Sequence, residues 1–227
     1  MIADCALIVM AKQPQPGRTK TRLCPPLTPQ QAALFYEALL LDTFALAAGL
    51  PGVQLAAAIT PPDSEHYFKR IAPQGTLLIP IEGADIGECL YRALAELLQR
   101  GFRRAIALNA DGPSLPLAYL QQAVTLLNDH DVVLGPGEDG GYYLIGLKRV
   151  EAQLFAGIPW STGRVLEQTL AQAHQLSLRA ALTPPWYDVD LPADMQRMCR
   201  ELKLLPPDRL LHTRSFFDRQ AAGAAFE

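Results

Sequence analysis

The sequence predicts an α/β protein with a doubly wound, mixed but mainly parallel sheet and helices on both faces. Three observations carry this. Short apolar runs alternate with helix-length segments along most of the chain. The first apolar run empties into a Gly- and Pro-shaped basic loop and then a helix, the layout that seats ligands at strand ends. One connection, Gly137-Glu-Asp-Gly-Gly141, is too short for a crossover helix, so one strand is antiparallel or bent.

Cys5-Ala-Leu-Ile-Val-Met-Ala11 reads as a buried strand. After the loop that follows it, Thr28 offers an N-cap and Pro29 a first helical residue, and apolar residues at helical spacing continue to about Ala48. Gly49 and Pro51-Gly52 stop that helix. Val53–Ile59 reads as a strand, Asp63–Ile71 as a short helix and Thr76–Ile81 as a strand; Ile86–Arg100 is helical and Arg104–Leu108 a strand. Leu117–Asn128 is a further helix, Asp131–Leu134 a strand ending at Gly135-Pro136, and Tyr142–Leu147 the strand after the short turn. A helix from Thr162 to about Gln175, a short strand near Pro185-Trp-Tyr187 and a helix from Pro192 onward complete a sheet of six or seven strands.

The 227 residues suit one domain, expected over 1–220, with 221–227 a disordered tail. Hydrophobic residues make up 49% and charged residues 19%, an ordinary globular composition. A formal net charge of -3 argues against a broad nucleic-acid footprint, so no nucleic-acid partner is expected. Cys5, Cys24, Cys89 and Cys199 form no C-x-x-C pair and are expected reduced and mostly buried. The first apolar run is too short and has the wrong flanks for a signal peptide, and Asp42 interrupts the longest apolar helix, so no membrane association is expected and the cytoplasm is the default compartment. No H-E-x-x-H or G-x-S-x-G occurs, and the four histidines lie outside the motifs below, which disfavours zinc hydrolase and acyl-enzyme chemistry.

The loop Lys12-Gln-Pro-Gln-Pro-Gly-Arg-Thr-Lys-Thr-Arg22 holds Lys12, Arg18, Lys20 and Arg22, and no acid lies between Asp4 and Glu37. An exposed cationic turn is the plain alternative. Its place after a buried strand points instead to phosphate, with Gly17 allowing close backbone approach and the cations giving charge-assisted bonds. It is not a P-loop, because the glycine spacing fails. Asp111, after the strand ending at Leu108, stands where open α/β sheets bind ligands and is a candidate Mg²⁺ ligand; Asp111-Gly-Pro113 also fits a turn. Asp190 is a second candidate, since magnesium commonly takes one or two carboxylates plus substrate phosphates; its simpler role is N-cap of the following helix. In Gly135-Pro-Gly-Glu-Asp-Gly-Gly-Tyr-Tyr143, Gly140 and Gly141 would let a ligand approach the backbone, and Tyr142 or Tyr143 could stack on a sugar or base. Ser161 or Thr162 is expected to cap the helix after it.

Taken together, Met-Ala-Lys12-x-Pro-x-Pro-Gly17-x-x-Lys20-Thr-Arg-Leu23, Asp111-x-Pro113, Gly135-Pro-x-x-Asp139-Gly-Gly-Tyr-Tyr-Leu-Ile-Gly146, Pro159-Trp-Ser-Thr162 and Asp188-Val-Asp190 resemble the glycosyltransferase-A-like family of nucleotide-diphospho-sugar transferase fold, related to the phospholactate guanylyltransferases. The resemblance covers roughly residues 5–200 and implies a Rossmann-like mixed sheet and a nucleotide-handling transferase. The chain departs from the family pattern at Asn109-Ala110, where Gly-Ser or Gly-Thr is usual, and at Cys89, where an arginine is common. In relatives with a metal-binding D-x-D the first acid would fall at Asn109, which leaves Asp111 as the main metal candidate.

The expected activity is Mg-dependent nucleotidyl transfer from a nucleoside triphosphate to a phosphorylated small-molecule acceptor. Lys20, Arg22 and Asp111 are the catalytic candidates; Lys12, Gly17, Arg18, Asn109, Gly140, Gly141 and Tyr142 complete the nucleotide site with Lys20 and Arg22, and Asp111 and Asp190 hold the metal. Glycosyl transfer from a nucleotide sugar, with Glu138 or Asp139 as base, is the alternative, and a non-catalytic nucleotide-binding protein a second one.

Overall fold

The computed structural model describes residues 3–224. Its sheet has seven strands: β1 (Cys5–Lys12), β2 (Val53–Thr60), β3 (Leu77–Pro80), β4 (Arg104–Leu108), β5 (Val132–Pro136), β6 (Tyr142–Leu147) and β7 (Ala180–Leu182). The helices are α1 (Pro29–Ala48), α2 (Glu65–Ile71), α3 (Ile86–Gln99), α4 (Leu117–Leu126), α5 (Val165–Gln175), α6 (Pro192–Glu201) and α7 (Leu211–Ala224). Strand order is β3-β2-β1-β4-β6-β5-β7. All neighbouring pairs are parallel except the two made by β6, which runs antiparallel between β4 and β5. The turn at 137–141 is thus the hairpin into the one reversed strand.

Both sheet faces are covered, which is why the strands read as continuous apolar runs. Successive side chains alternate sides. Leu7, Val9, Ile106 and Leu108 pack with Tyr36, Leu40 and Phe44 of α1 and Leu120 of α4, whereas Ala6, Ile8, Ala105 and Ala107 pack with Leu90, Leu94 and Leu97 of α3. A third cluster joins Phe35 and Leu39 on the opposite side of α1 to Met195, Met198 and Phe216. Buried on two sides, α1 is apolar all round. It is long and apolar enough to cross a membrane by length and composition, yet 61% of its apolar window is buried within the protein.

Thr28 and Gln31 form the capping box that opens α1, with Gln31 N donating to Thr28 Oγ1 at 3.2 Å and Thr28 N to Gln31 Oε1 at 2.8 Å. Asp42, which breaks the apolar pattern of α1, is buried and accepts from His212 N, Thr213 N and Thr213 Oγ1 at 3.1, 2.8 and 2.7 Å. One carboxylate thereby caps α7 from another helix. Asp42→Ala should lower stability by about 2–3 kcal/mol, because it strands buried donors. Urea denaturation checks this, and a loss below ~0.5 kcal/mol would rule the cap out as a stabilising contact.

Three local expectations need correction. The strand placed near 185–187 lies at Ala180–Leu182: Pro184 and Pro185 have no N–H for a ladder, and pairing with β5 resumes only as an isolated bridge between Gly137 and Trp186. α5 starts at Val165 and not at Thr162, whose hydroxyl is instead donated to Pro159 O at 2.7 Å, while Ser161 is left-handed at φ 63°. Residues 221–224 of the segment expected to be disordered belong to α7; residues 225–227 lie outside the described residues.

Candidate active site

The chain leaves β1 to build β2 and β3 on one side and β4 onward on the other, so a crevice opens beyond the carboxyl ends of β1 and β4. The reversal of β6 brings its start to the same edge: Leu108 pairs with Leu144, and Asn109 N donates to Tyr143 O at 2.9 Å. A cavity of about 470 Å³ lies there. Its walls include Lys12 from the end of β1, Arg18, Lys20 and Arg22 from the basic loop, Asn109 and Asp111 from the end of β4, Tyr142 from β6, and Asp190. Met10, Ile86, Leu90, Leu144 and Ile145 supply an apolar side.

The basic loop is internally braced. Thr19 is buried; its hydroxyl donates to Gln15 O and accepts from Gln15 N, both at 2.7 Å, and the N–H groups of Arg18 and Thr19 also donate to Gln15 O. Lys12 Nζ donates to Arg18 O at 3.3 Å. Lys20 follows in the left-handed conformation, φ 49° and ψ 39°, and turns inward. Its side chain is only 6% exposed, and Nζ lies 2.5 Å from Asp111 Oδ1 and 2.7 Å from Asp190 Oδ1. Burial pulls the ammonium's pKa down, but Asp111 and Asp190 outweigh it and hold the group above the ordinary lysine value. Lys20 is therefore not one of the exposed loop cations. Lys12, Arg18 and Arg22 are exposed, and among the described residues they form no ion pair.

Asp190 is not the N-cap of α6. Leu191 holds that position, and the Asp194 carboxylate reaches back to accept from Leu191 N at 2.8 Å and Asp190 N at 3.2 Å. The Asp190 carboxylate is left to face Lys20. Beside the two acids lies Asp188, to which the sequence assigned no separate role. Asn109 Nδ2 donates to Asp188 Oδ2 at 2.8 Å, while Asp188 Oδ1 is buried with no hydrogen-bond partner. An aspartate at position 109 would put a like charge there, whereas the asparagine donates.

Burial, and next the charge of Asp111, push the Asp188 carboxyl up to about 7 from an ordinary 3.8. The folded protein then binds more protons than the unfolded chain between these values. This contribution to stability is full below about pH 4, falls as pH rises and is lost above about pH 7. Asp188→Asn keeps an acceptor for Asn109 and removes the titration, so the variant should melt higher than the parent at pH 8 and converge with it near pH 4. Melting curves that stay parallel across this range would refute the assignment.

Gly17, Gly140 and Gly141 do not line the cavity. Gly17 makes a positive-φ turn in the basic loop (φ 75°), Gly140 packs against the Gly163 backbone, and Gly141 N donates to Asp139 Oδ1 at 2.9 Å. Glu138 pairs with Arg197 at 2.8 Å, and neither it nor Asp139 lines the cavity. Tyr142 presents its ring there but buries an unpartnered hydroxyl and meets Trp160 edge-to-face. Cys89 stands outside the lining, between Ile86 and Leu90, which belong to it. Tyr36 was missed: at one of the apolar positions of α1 it looked like ordinary core, but its hydroxyl accepts from Lys12 N at 3.1 Å at the cavity wall.

Oxygen donors of this kind suit a hard cation. Asp111 and Asp190 converge on one point that is already cationic, the Lys20 ammonium, so two carboxylates fit a magnesium ion completed by phosphate and water. Among the described residues no group of three or more His, Cys, Asp or Glu is placed to hold a metal by itself.

Known structures share this architecture. A candidate nucleotide-diphospho-sugar transferase from Desulfovibrio desulfuricans superposes with TM-score 0.88 at 27% identity, over 97% of this chain and 96% of that one. CMP:2-keto-3-deoxy-manno-octonic acid synthetase complexed with CTP matches with TM-score 0.58 at 12% identity, over 88% and 99%. A 4-diphosphocytidyl-2C-methyl-D-erythritol synthase from Anaerococcus prevotii matches with TM-score 0.58 at 8% identity, over 89% and 98%. The last two establish a common fold. No curated protein matches the sequence. The fold is thus that of the nucleotide-diphospho-sugar transferases. Residues 43–162, more than half of the chain, match one bacterial family, and the protein is a member of it: the family described as "Uncharacterized protein conserved in bacteria (DUF2064)".

Proposed function

We propose that the protein is a nucleotide-dependent transferase that moves a nucleotidyl group from a nucleoside triphosphate to a phosphorylated small molecule, with magnesium as cofactor. One observation carries the proposal: around a single cavity, three unpaired cations of the basic loop stand beside a lysine held between two converging carboxylates. Two of the fold's relatives, the CTP-bound synthetase and the 4-diphosphocytidyl-2C-methyl-D-erythritol synthase, carry names that fit this chemistry. So does the likeness of Lys20-Thr-Arg-Leu23 to the phospholactate guanylyltransferases.

In this reaction an acceptor phosphate oxygen attacks the α-phosphorus, the bond from that phosphorus to the oxygen bridging the β-phosphate breaks, and pyrophosphate leaves. No protein nucleophile is required. Alignment and charge neutralisation carry the rate, so Arg18, Arg22 and Lys12 grip the triphosphate at the cavity rim while the apolar side, with Tyr142, receives the rest of the nucleotide. Asp111 and Asp190 would hold the magnesium ion, which when bound would supply neutralisation of phosphate charge. Glu138 and Asp139, the acids considered as a base for glycosyl transfer, are engaged away from the cavity, which favours the nucleotidyl reading.

The test is a coupled pyrophosphate assay over triphosphates and phosphorylated acceptors, run beside a panel of nucleotide sugars. Pyrophosphate release supports the reading; turnover confined to the second panel, with nucleoside diphosphate released, overturns it. Arg18→Ala and Arg22→Ala should each weaken triphosphate binding by about tenfold, the loss of one charge-assisted contact, with stability changed by less than ~0.5 kcal/mol. Unchanged affinity in calorimetry would remove either side chain from the phosphate site.

A further inference from the structure

We propose that Lys20 is a built-in substitute for the divalent cation, which fills the acid pair until a polyphosphate draws it away and so makes metal binding depend on nucleotide. The inference rests on the proposed role of Asp111 and Asp190 as metal-holding carboxylates. Both present Oδ1 to the same ammonium, at 2.5 and 2.7 Å. A magnesium ion would sit ~2.0–2.1 Å from each oxygen, so ion and ammonium cannot occupy the site together.

Three features set the direction of the exchange. The backbone is held on both sides of Lys20: Thr19 is pinned to Gln15, and Lys20 O accepts from Leu23 N at 2.9 Å as a short turn begins. Freedom to move therefore lies mainly in the lysine side chain. Asp188 adds a third carboxyl beside the pair, with one oxygen buried and unpartnered, so an ammonium leaving without replacement would abandon crowded acids. The ammonium also needs an anion to receive it, and the exposed, unpaired Lys12, Arg18 and Arg22 mark where phosphate would collect. Without phosphate, a metal ion must break two ion pairs to a buried ammonium and gives the lysine nothing in return. With phosphate, Lys20 moves from carboxylate to phosphate and the two cations exchange places.

The experiment uses Mn²⁺ as the probe in calorimetric titration of nucleotide-free protein. Lys20→Met and Lys20→Gln should bind one Mn²⁺ at least ~10-fold more tightly than the parent, since the ion no longer has to displace a buried ammonium from the two carboxylates. Adding Asp111→Asn to either variant should abolish the site. Lys20→Gln keeps an N–H donor for the carboxylates and carries the measurement if Lys20→Met does not fold. Equal Mn²⁺ affinity in parent and variants overturns the inference and leaves the metal reading intact. Absence of Mn²⁺ binding in the parent and in both variants overturns the metal reading and the inference with it.

Discussion

Asp111→Asn is expected to lower the catalytic efficiency of pyrophosphate formation by about a thousandfold while the protein stays folded. The substitution keeps size and an acceptor oxygen but removes one of the two charges that would fix the metal, a contribution of several kcal/mol to transition-state stabilisation, with each ~1.4 kcal/mol a factor of ten. Folding is spared because two effects oppose. Lys20 loses one ion pair, yet Asp188 loses the neighbouring charge that, after burial, does most to raise its pKa. Steady-state rates over a range of Mg²⁺ concentrations, with a thermal melt of each protein, check both parts. A variant with near-parental activity at saturating magnesium would take Asp111 out of the reaction.

Gly140→Ala is expected to cost about 4 kcal/mol of stability, the largest structural effect in the glycine-rich turn. Gly140 sits at φ 85°, and a Cβ there would lie 2.2 Å from Gly163 O, a backbone atom that cannot swing aside. Left-handed strain contributes ~1 kcal/mol, and forcing the two loops apart contributes about 3 kcal/mol more. Leu166 N also donates to Gly140 O at 2.9 Å, so displacement would disturb the start of α5. Gly17→Ala is the control: it shares a positive φ but has open space around the added carbon, and should lose only ~1 kcal/mol. Denaturant titration separates the two, and equal losses would show that strain alone, without the Gly163 contact, governs Gly140.

The basic loop shows how far local reading reaches. Four cations after a buried strand identified a segment that borders the cavity, but spacing could not tell that Lys20 turns inward while Arg18 and Arg22 stay exposed. Lys20's partners stand far along the chain, at Asp111 and Asp190. The same limit made Asp190 look like a helix cap: the competing carboxylate, Asp194, lay one turn further on and satisfied the α6 N-terminus instead. At 185–187 the sequence suggested a strand, but Pro184 and Pro185 have no N–H to give a ladder.

By itself the sequence determined the α/β class, the positions of most helices and strands, the capped start of α1 and the short turn at 137–141 that requires an antiparallel or bent strand. Each of these follows from periodicity, capping or turn chemistry within a few neighbouring residues. Only the tertiary structure decided that β6 enters between β4 and β5, that Asp42 caps α7, that Gly140 abuts Gly163, and that one lysine lies between two aspartates with a third beside them. Those outcomes depend on how the crossovers pack the helices on the two faces of the sheet, which brings residues distant in sequence to one edge, where burial and charge then act on them together.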